Sequence, residues 1–244
     1  MSKIYFISDA HLGLADKNTE EKKEQMLINF FNMAALDASS IYILGDLFDA
    51  WFEYKTVIPK GFHRTIAKLD DLVKKNVKIH YLTGNHDFWM NNFFQEEIGI
   101  NVHFDSYSFT HEGKKIFLHH GDGLSKKDIG YRILKKILRN SFNIKLYKLL
   151  HPDLGISLAK KFSHMSRKHS SDKKYIEMDE LNDIVEKIIN QGYDVVIMGH
   201  LHQPMQKKIG KGEFINLGDW ISHFTYAVMQ NGVIELKNWI EEKD

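Results

Sequence analysis

The feature that most constrains this chain is a short apolar run that recurs along it and ends each time in polar residues with metal-binding side chains. The runs are KIYFIS followed by DAH, SIYILG followed by DLFD, KIHYLTG followed by NHD, KIFLHHGD, and DVVIMG followed by HLH. Runs of this length, rich in isoleucine, valine and tyrosine, are typical of buried strands. The sequence therefore predicts a sheet whose strands all end in chemically active residues.

Helix-like segments separate the first three runs, with apolar residues at helical spacing in Met26–Ala34 and Ile66–Val73. Strands that alternate with helices favour βαβ units and an α/β fold. A further helix is predicted at Met178–Gln191. Near the C-terminal end, FINLGD and YAVMQNGVIELKNW are predicted to be antiparallel strands, with Asn231-Gly232 as a hairpin turn.

The composition narrows the possibilities. The 244 residues suffice for one large α/β domain with a smaller elaboration. No run approaches ~18 consecutive apolar residues, and the first residues, MSKIYFISDAH, enter a strand pattern directly, so we expect neither a membrane-spanning helix nor a cleaved leader. A cytoplasmic location follows as the expectation. Because the chain has no cysteine, any metal must be held by His, Asp, Glu or Asn.

The net charge of +1 conceals a strong asymmetry along the chain. The segment from Ser125 to Lys174 carries 14 of the 33 lysines and arginines but three of the 32 acidic residues. The remainder is therefore anionic. Such a segregated basic segment suggests an anionic partner, which could be nucleic acid, a phosphorylated ligand or an anionic lipid surface.

The same basic segment has apolar residues at helical spacing, as in Ile129, Ile133 and Ile137. We interpret residues 125–177 as a basic amphipathic helical cap, inserted into a core made of residues 1–124 and 178–244. The apolar stripes could form the cap's own core, with the lysines on its solvent-exposed face, or they could line a channel for acyl chains.

The polar residues at the strand ends form a candidate metal site. In open α/β sheets, ligands bind beyond the carboxyl ends of the strands. The candidates are Asp9 and His11 in D-x-H, Asp46 in G-D, Asn85, His86 and Asp87 in G-N-H-D, His119 and His120 in H-H-G-D, and His200 and His202 in G-H-x-H. A lone histidine after a strand is more often a packed residue than a ligand. Because the motifs follow their strands one after another, metal binding is the better interpretation of the set.

Mixed histidine, carboxylate and amide ligands suit Mn²⁺, Fe or Zn²⁺ better than Ca²⁺ or Mg²⁺. Two such cations ~3.5–4 Å apart would clamp a phosphoryl group and activate a water molecule. Asp9 and Asp46 are the anionic members of the set, so the centre would stay positive and attract phosphate.

In order and spacing, these motifs resemble those of the calcineurin-like metallophosphoesterase superfamily. The resemblance implies a four-layer αββα sandwich with a dinuclear metal site. It places Asp9, His11 and His202 on one metal, Asn85, His120 and His200 on the other, and Asp46 between them. His119 is expected to be a packed histidine on the other face of its strand.

Longer sequence motifs indicate one branch of that superfamily. ISDAHLG, YILGDLFDAWF, HGDGLSKKDIGYR and NLGDW are similar to the UDP-2,3-diacylglucosamine diphosphatases of lipid A biosynthesis. The resemblance implies hydrolysis of a pyrophosphate, usually with two Mn²⁺, to UMP and 2,3-diacylglucosamine 1-phosphate. It also implies a peripheral position on the inner membrane, and no nucleic acid is expected as partner. The substrate-binding residues that it implies are Asp128, Tyr131, Ser166, Arg167 and Lys173.

One residue departs from that branch, where the position after the metal-binding Asn85 is commonly arginine. The histidine found here, His86, can donate a proton to a leaving oxygen as well as bind charge. We expect His86 to be catalytic and Asp87 to orient its ring. His86 also leaves open another nucleotide-linked lipid or a phosphodiester as substrate. The motifs are further compatible with a nucleotide phosphatase, a cyclic-nucleotide phosphodiesterase or nuclease, and a scaffold whose site has decayed.

Overall fold

The computed structural model describes residues 2–125, 129–171 and 174–239. For residues 164–179 it describes the backbone of the helices but not the side chains. The strands are β1 (Lys3–Ile7), β2 (Ala38–Leu44), β3 (Lys78–Leu82), β4 (Asn101–His103), β5 (Ser106–His111), β6 (Lys114–His119), β7 (Val195–Met198), β8 (Met205–Ile209), β9 (Gly212–Asn216), β10 (Thr225–Gln230) and β11 (Val233–Asn238). The helices are α1 (Lys17–Ala34), α2 (His63–Lys74), a π-helical turn (Phe93–Ile98), α3 (Ile129–Leu138), α4 (Ser141–Tyr147), α5 (Pro152–Ser171) and α6 (Lys174–Asn190).

The first sheet has six strands in the order β11-β10-β1-β2-β3-β4. Strands β1 to β4 are parallel, because α1, α2 and the segment with the π-helical turn provide the three crossovers that parallel neighbours need. Strand β10 pairs antiparallel with β1, and β10 and β11 form the predicted hairpin. Asn231 and Gly232 both have positive φ, 53° and 73°, as a two-residue hairpin turn requires.

The second sheet has five strands in the order β5-β6-β7-β9-β8. Within it β6, β7 and β9 are parallel, while β5 and β8 pair antiparallel at the two edges. The first half of FINLGD forms the end of β9, which pairs antiparallel with β8, as predicted for this segment, but parallel with β7 on its other side. Strand β9 lies in the other sheet from the β10–β11 hairpin.

The layers confirm the αββα sandwich. Helices α1 and α2 bury Leu27, Phe30 and Leu69 against the outer face of the first sheet. Side chains such as Phe6 and Ile197 fill the space between the two sheets. Helix α6 covers the outer face of the second sheet through Val185 and its neighbours. Each sheet is therefore buried on both faces, in keeping with its apolar strands.

Helices α3, α4 and α5 lie between β6 and β7 in the chain, within the segment predicted to be a cap. They meet the core through aromatic side chains. The indole Nε1 of Trp89 donates to the Leu138 carbonyl at 3.0 Å, and the rings of Phe52 and Trp89 both pack on Tyr147. Within the described ranges, none of the helices combines the length and apolar character that crossing a bilayer demands.

Candidate metal centre

The candidate ligands converge at the carboxyl ends of β1, β2, β3, β6 and β7, and most of them have unusual backbone geometry. Asp9, His11, Asp46, His200 and His202 all have positive φ, between 43° and 70°. Non-glycine residues rarely adopt this region, and they concentrate at functional sites where the surrounding structure holds them in place. The chain therefore accepts backbone strain in order to bring these side chains together.

The first group joins β1 to the loop after β7. Asp9 Oδ1 lies 3.3 Å from His202 Nε2 and 3.7 Å from His11 Nε2, and the two imidazole nitrogens are 3.2 Å apart. Atoms that share one ion at ~2.1 Å stand about 3.0–3.5 Å from each other. Asp9 Oδ1 is buried and has no hydrogen-bond partner in the described part of the chain. These donors fit a cation.

The second group lies beside the first. His120 Nε2 is 3.1 Å from Asn85 Oδ1 and 3.3 Å from Asp46 Oδ2, and His200 has a ligating atom within 4.8 Å of those of Asp46 and His120. Oxygen and nitrogen donors at this spacing also fit a divalent cation.

Asp46 links the two groups. Its Oδ2 atom lies 3.3 Å from His120, 3.6 Å from His11 and 3.9 Å from His86, measured to the Nε2 atom of each. One carboxylate oxygen thus faces both groups, as a bridging ligand must.

In both Asp9 and Asp46, one carboxylate oxygen binds the backbone and the other faces the candidate metal centre. Asp9 Oδ2 accepts the backbone N–H of His200 at 2.9 Å, and Asp46 Oδ1 accepts that of His86 at 2.9 Å. The other oxygen of each then faces the centre. A Cβ at Gly84 would overlap the Asp46 carboxylate, so this approach requires glycine at that position.

The histidines are oriented through their outer nitrogens. His120 Nδ1 lies 2.7 Å from the Leu44 carbonyl, which accepts its hydrogen and leaves Nε2 for the centre. His11 Nδ1 is 3.4 Å from Asp49 Oδ1, and His202 Nδ1 is 3.6 Å from Asp219 Oδ2.

Sequence reasoning missed both of these carboxylates. Asp49 belongs to G-D-x-x-D, and Asp219 belongs to N-L-G-D-W, where it also accepts the backbone N–H groups of residues 221–223. An acidic residue close to one of the motifs could have indicated them, because a metal-binding histidine needs a hydrogen-bond acceptor for the ring nitrogen that does not face the metal.

Buried charges in the centre stabilise one another. Burial favours neutral carboxyl groups, yet the neighbouring imidazoles hold the pKa of Asp9 and of Asp46 below the ordinary range. Burial lowers the pKa of His86 and of His200 to about 4. At His120 the Asp46 carboxylate outweighs burial and raises the pKa to about 10. A cation beside Asp46 would therefore displace the His120 proton, since metal ligation requires neutral imidazole.

The structure separates the roles expected for His86 and Asp87. His86 lies at the centre, with Nε2 toward Asp46. The Asp87 carboxylate instead accepts hydrogen bonds from Leu47 N, Gly84 N and the Tyr81 hydroxyl. The expectation that Asp87 orients the His86 ring was therefore wrong. Asp87 ties together the loops that follow β2 and β3.

The remaining predicted residues lie at or near the cap. The Tyr131 hydroxyl donates to Asp122 Oδ2 at 2.9 Å, two residues beyond His120. The backbone of Ser166 and Arg167 lies in α5, with their side chains outside the description, and Asp128 and Lys173 lie outside the described residues. His119 accepts the Gly121 N–H at Nδ1, 2.8 Å away, which agrees with a packed histidine.

A cavity of about 750 Å³ opens directly off the centre. Asn85, His86 and His200 form the wall that it shares with the centre, while Leu134, Phe162 and Ile184 are among the apolar side chains that line the rest. Most of the wall is apolar. A ligand that fills this space would thus present a polar group to the centre and an apolar body to the cap.

A double sheet whose strand ends carry two adjoining groups of histidine, carboxylate and amide donors defines a metal-dependent hydrolase of phosphoric esters and anhydrides. The sequence profile of the calcineurin-like phosphoesterases matches residues 2–204, and the chain belongs to this family.

Individual relatives are similar over nearly their whole length. The UDP-2,3-diacylglucosamine hydrolase of Porphyromonas gingivalis is 30% identical over 260 residues, covering 97% of this chain and 97% of the relative. The enzyme of the same name from Pseudomonas fluorescens is 32% identical over 228 residues, covering 89% and 87%. The solved structure of an archaeal phosphodiesterase aligns with a TM-score of 0.49 at 16% identity, over 96% of this chain and 98% of that chain.

Proposed function

We propose that this chain hydrolyses the pyrophosphate of UDP-2,3-diacylglucosamine at a centre of two divalent cations. Water attacks one phosphorus, the anhydride bond breaks, and UMP and 2,3-diacylglucosamine 1-phosphate leave. The observation that carries the proposal is the wall that Asn85, His86 and His200 share between the centre and the apolar cavity. A diacylated sugar pyrophosphate needs apolar space directly beside the reacting phosphorus. The names of the relatives supply the particular substrate.

The ligand assignment follows the two groups. Asp9, His11 and His202 would hold one cation, Asn85, His120 and His200 would hold the other, and Asp46 would be shared between them. The mixed donor set favours Mn²⁺. When bound, the two cations supply Lewis-acid activation of the phosphoryl group and of the attacking water.

The chain's own residues orient the substrate. His86 Nε2, beside Asp46, would face the phosphoryl oxygens, and it would donate to them once the negative charge of the bound phosphate favours the protonated ring over the neutral one that burial favours. Tyr131 stands at the cavity wall through its bond to Asp122. Asp128, Ser166, Arg167 and Lys173 complete the proposed contacts to sugar and phosphate. The wall of α3, α5 and α6 excludes water from the acyl chains.

A peripheral position on an anionic membrane is part of the proposal. The segment from α3 to α5 has a strong excess of lysine and arginine and exposes apolar side chains that include Phe142, Leu154 and, in the turn between α4 and α5, Leu149. Apolar groups beside clustered cations suit the surface of an anionic bilayer. The substrate is a membrane lipid, so this face would bring the cavity to its source.

The direct test measures UMP release from UDP-2,3-diacylglucosamine by the metal-free protein before and after addition of Mn²⁺. We expect release that depends on the metal and falls at least a hundredfold in His200→Ala, which removes a ligand from the cavity wall. Absence of release, together with efficient hydrolysis of bis(p-nitrophenyl) phosphate, would overturn the substrate assignment.

The presence of His86 favours a second candidate, which is hydrolysis of another nucleotide-linked lipid or of a phosphodiester. An alkoxide leaving group benefits from an acid more than a phosphate leaving group does. Comparing kcat/KM for 2′,3′-cyclic AMP, whose leaving group is an alkoxide, and for UDP-2,3-diacylglucosamine in the same preparation decides between the two candidates.

A further inference from the structure

The His86 ring is held by the cap as well as by the core. Its Nδ1 atom lies 2.8 Å from Ser163 Oγ and 3.1 Å from the Asp49 carbonyl oxygen. A carbonyl can only accept, so Nδ1 carries the hydrogen and Nε2 is left facing Asp46. Both side chains are buried, with 6% of Ser163 and 4% of the His86 side chain exposed. The hydrogen bond between Ser163 and His86 therefore joins α5 to the end of the cavity that lies at the metal centre.

The sequence of α5 explains how so short a side chain reaches the centre. Gly155, Ala159 and Ser163 recur at every fourth position and are all buried, so they form one face of the helix, here called the small-residue face. The neighbouring Leu158 and Phe162 are exposed. A Cβ at Gly155 would overlap the Tyr54 hydroxyl. Small residues let the backbone of α5 come close enough for the Ser163 hydroxyl to meet the His86 ring.

We propose that Ser163 is a positioning residue for the hydrolysis, which fixes the His86 ring so that the docked cap completes the catalytic centre. Without the hydroxyl, the Nδ1 atom of His86 keeps the Asp49 carbonyl as its hydrogen-bond partner among the described residues. Ring orientation, and with it the direction of Nε2, would then be less well defined. The proposal rests on the proposed function, because His86 acts there on the phosphoryl group.

Steady-state kinetics of the Mn²⁺-loaded full chain test this role. In Ser163→Ala we expect kcat to fall about tenfold with KM within about twofold, since positioning acts on the transition state and not on uniform binding. Ser163→Thr keeps the hydroxyl and should restore most of kcat. Ser157→Ala changes an exposed serine of the same helix and should leave kcat unchanged.

A double-mutant cycle separates action through His86 from any other effect. If Ser163 works through the ring, Ser163→Ala adds no further loss in a His86→Ala background. Additive losses would overturn the proposal, and so would a raised KM with unchanged kcat, which would make Ser163 a substrate contact. Gly155→Ala, which keeps the Ser163 hydroxyl in the sequence but moves α5 away from the core, should lower kcat in the same way as Ser163→Ala.

A spectroscopic readout removes the dependence on substrate. Two-bond ¹H–¹⁵N correlation spectra of the metal-free protein report the tautomer of each histidine, and His86→Gln identifies the resonances of His86. We expect hydrogen on Nδ1 in the wild type, a changed Nδ1 shift in Ser163→Ala, and no change in Ser157→Ala. An unchanged His86 spectrum in Ser163→Ala would overturn the proposal. Failure to cleave UDP-2,3-diacylglucosamine would leave this measurement intact and count against the proposed function alone.

Discussion

The Nε2 atoms of His11 and His202 lie 3.2 Å apart, although 191 positions separate the two residues in the chain. Each ring has its Nδ1 near a carboxylate, Asp49 for His11 and Asp219 for His202. With hydrogen on both Nδ1 atoms, the two Nε2 lone pairs face each other beside the unpartnered Asp9 oxygen. A cation turns this repulsive arrangement into a stable one.

Metal binding is therefore expected to stabilise the folded chain. Adding Mn²⁺ to metal-free protein should raise the free energy of unfolding by about 2.7 kcal/mol for each of the two sites at a hundredfold excess over its Kd, because the metal binds the folded state. Elemental analysis should find two metals per chain. His202→Ala should retain one of them, whereas Asp46→Ala should weaken both. His151→Ala, a change at an exposed histidine of the cap, is the control. Two tightly bound metals in His202→Ala would contradict the assignment.

The cluster of ligands could be predicted from sequence because it depends on a repeated local pattern. Parallel strands end at one edge of a sheet, so the residues after β1, β2 and β3 had to meet. The partner of His86 could not be predicted in this way. Asp87 follows His86 in a bend of the chain and turns toward Leu47 N and Gly84 N, while Ser163 reaches His86 from 77 positions further along the chain.

The strands that the sequence missed or mispaired lie where local patterns are weak. Strand β8, MQKKI, carries two lysines at a sheet edge and lacks the long apolar run that marked the buried strands. The parallel pairing of β9 with β7 depends on the connection through β8, which no short-range pattern specifies. Local periodicity therefore identified the central strands, and the edges and pairings required the tertiary structure.

Arg139 is predicted to secure the loop that carries Asn85. Its guanidinium donates to the Phe104 carbonyl at 3.0 Å and the Gly84 carbonyl at 3.3 Å, and it lies over the Phe88 ring. Because lysine lacks this fork of donors, Arg139→Lys should fail as a substitute.

For Arg139→Lys and Arg139→Ala we expect kcat/KM to fall about tenfold and Mn²⁺ affinity to weaken, as for other partners that orient ligand loops. Isothermal titration with Mn²⁺ and steady-state kinetics measure the two effects. Arg132→Ala, an exposed arginine of the same helix, should behave as wild type. Full activity in Arg139→Lys would show that the fork is not required.

His80 is expected to make stability depend on pH away from the metal centre. Its ring packs against Tyr42 and lies 3.1 Å from His103, measured from Nδ1 to Nε2. Burial, followed by the charges of His103 and Lys78, lowers the pKa of His80 to about 4. In the unfolded chain this residue titrates near ~6.5. Between these values the unfolded chain binds more protons, so the free energy of unfolding should fall as pH drops from about 6.5 to about 4.

Urea unfolding of the metal-free protein at several pH values across that window measures the dependence. His80→Phe should make it less steep, because the phenyl ring cannot take up a proton, whereas His86 and His200 still titrate in the same window. His151→Phe, at an exposed position, is the matched control. Equal slopes for His80→Phe and the wild type would assign the dependence to other groups.

The exposed apolar side chains of the cap are predicted to bind anionic membranes. Leu149 on the cap is 81% exposed and Leu36 at the end of α1 is 85% exposed, so the two leucines differ in location rather than in accessibility. Leu149 lies next to Lys148 within the basic segment, where the charges of lipid and protein attract each other. Leu149→Ser should therefore weaken binding to phosphatidylglycerol vesicles about fivefold, while Leu36→Ser should not.

Sedimentation with the vesicles at increasing salt measures both the apolar and the electrostatic contribution, and binding should decline as salt screens the lysines. Equal losses in the two variants would show that the cap is not the docking face.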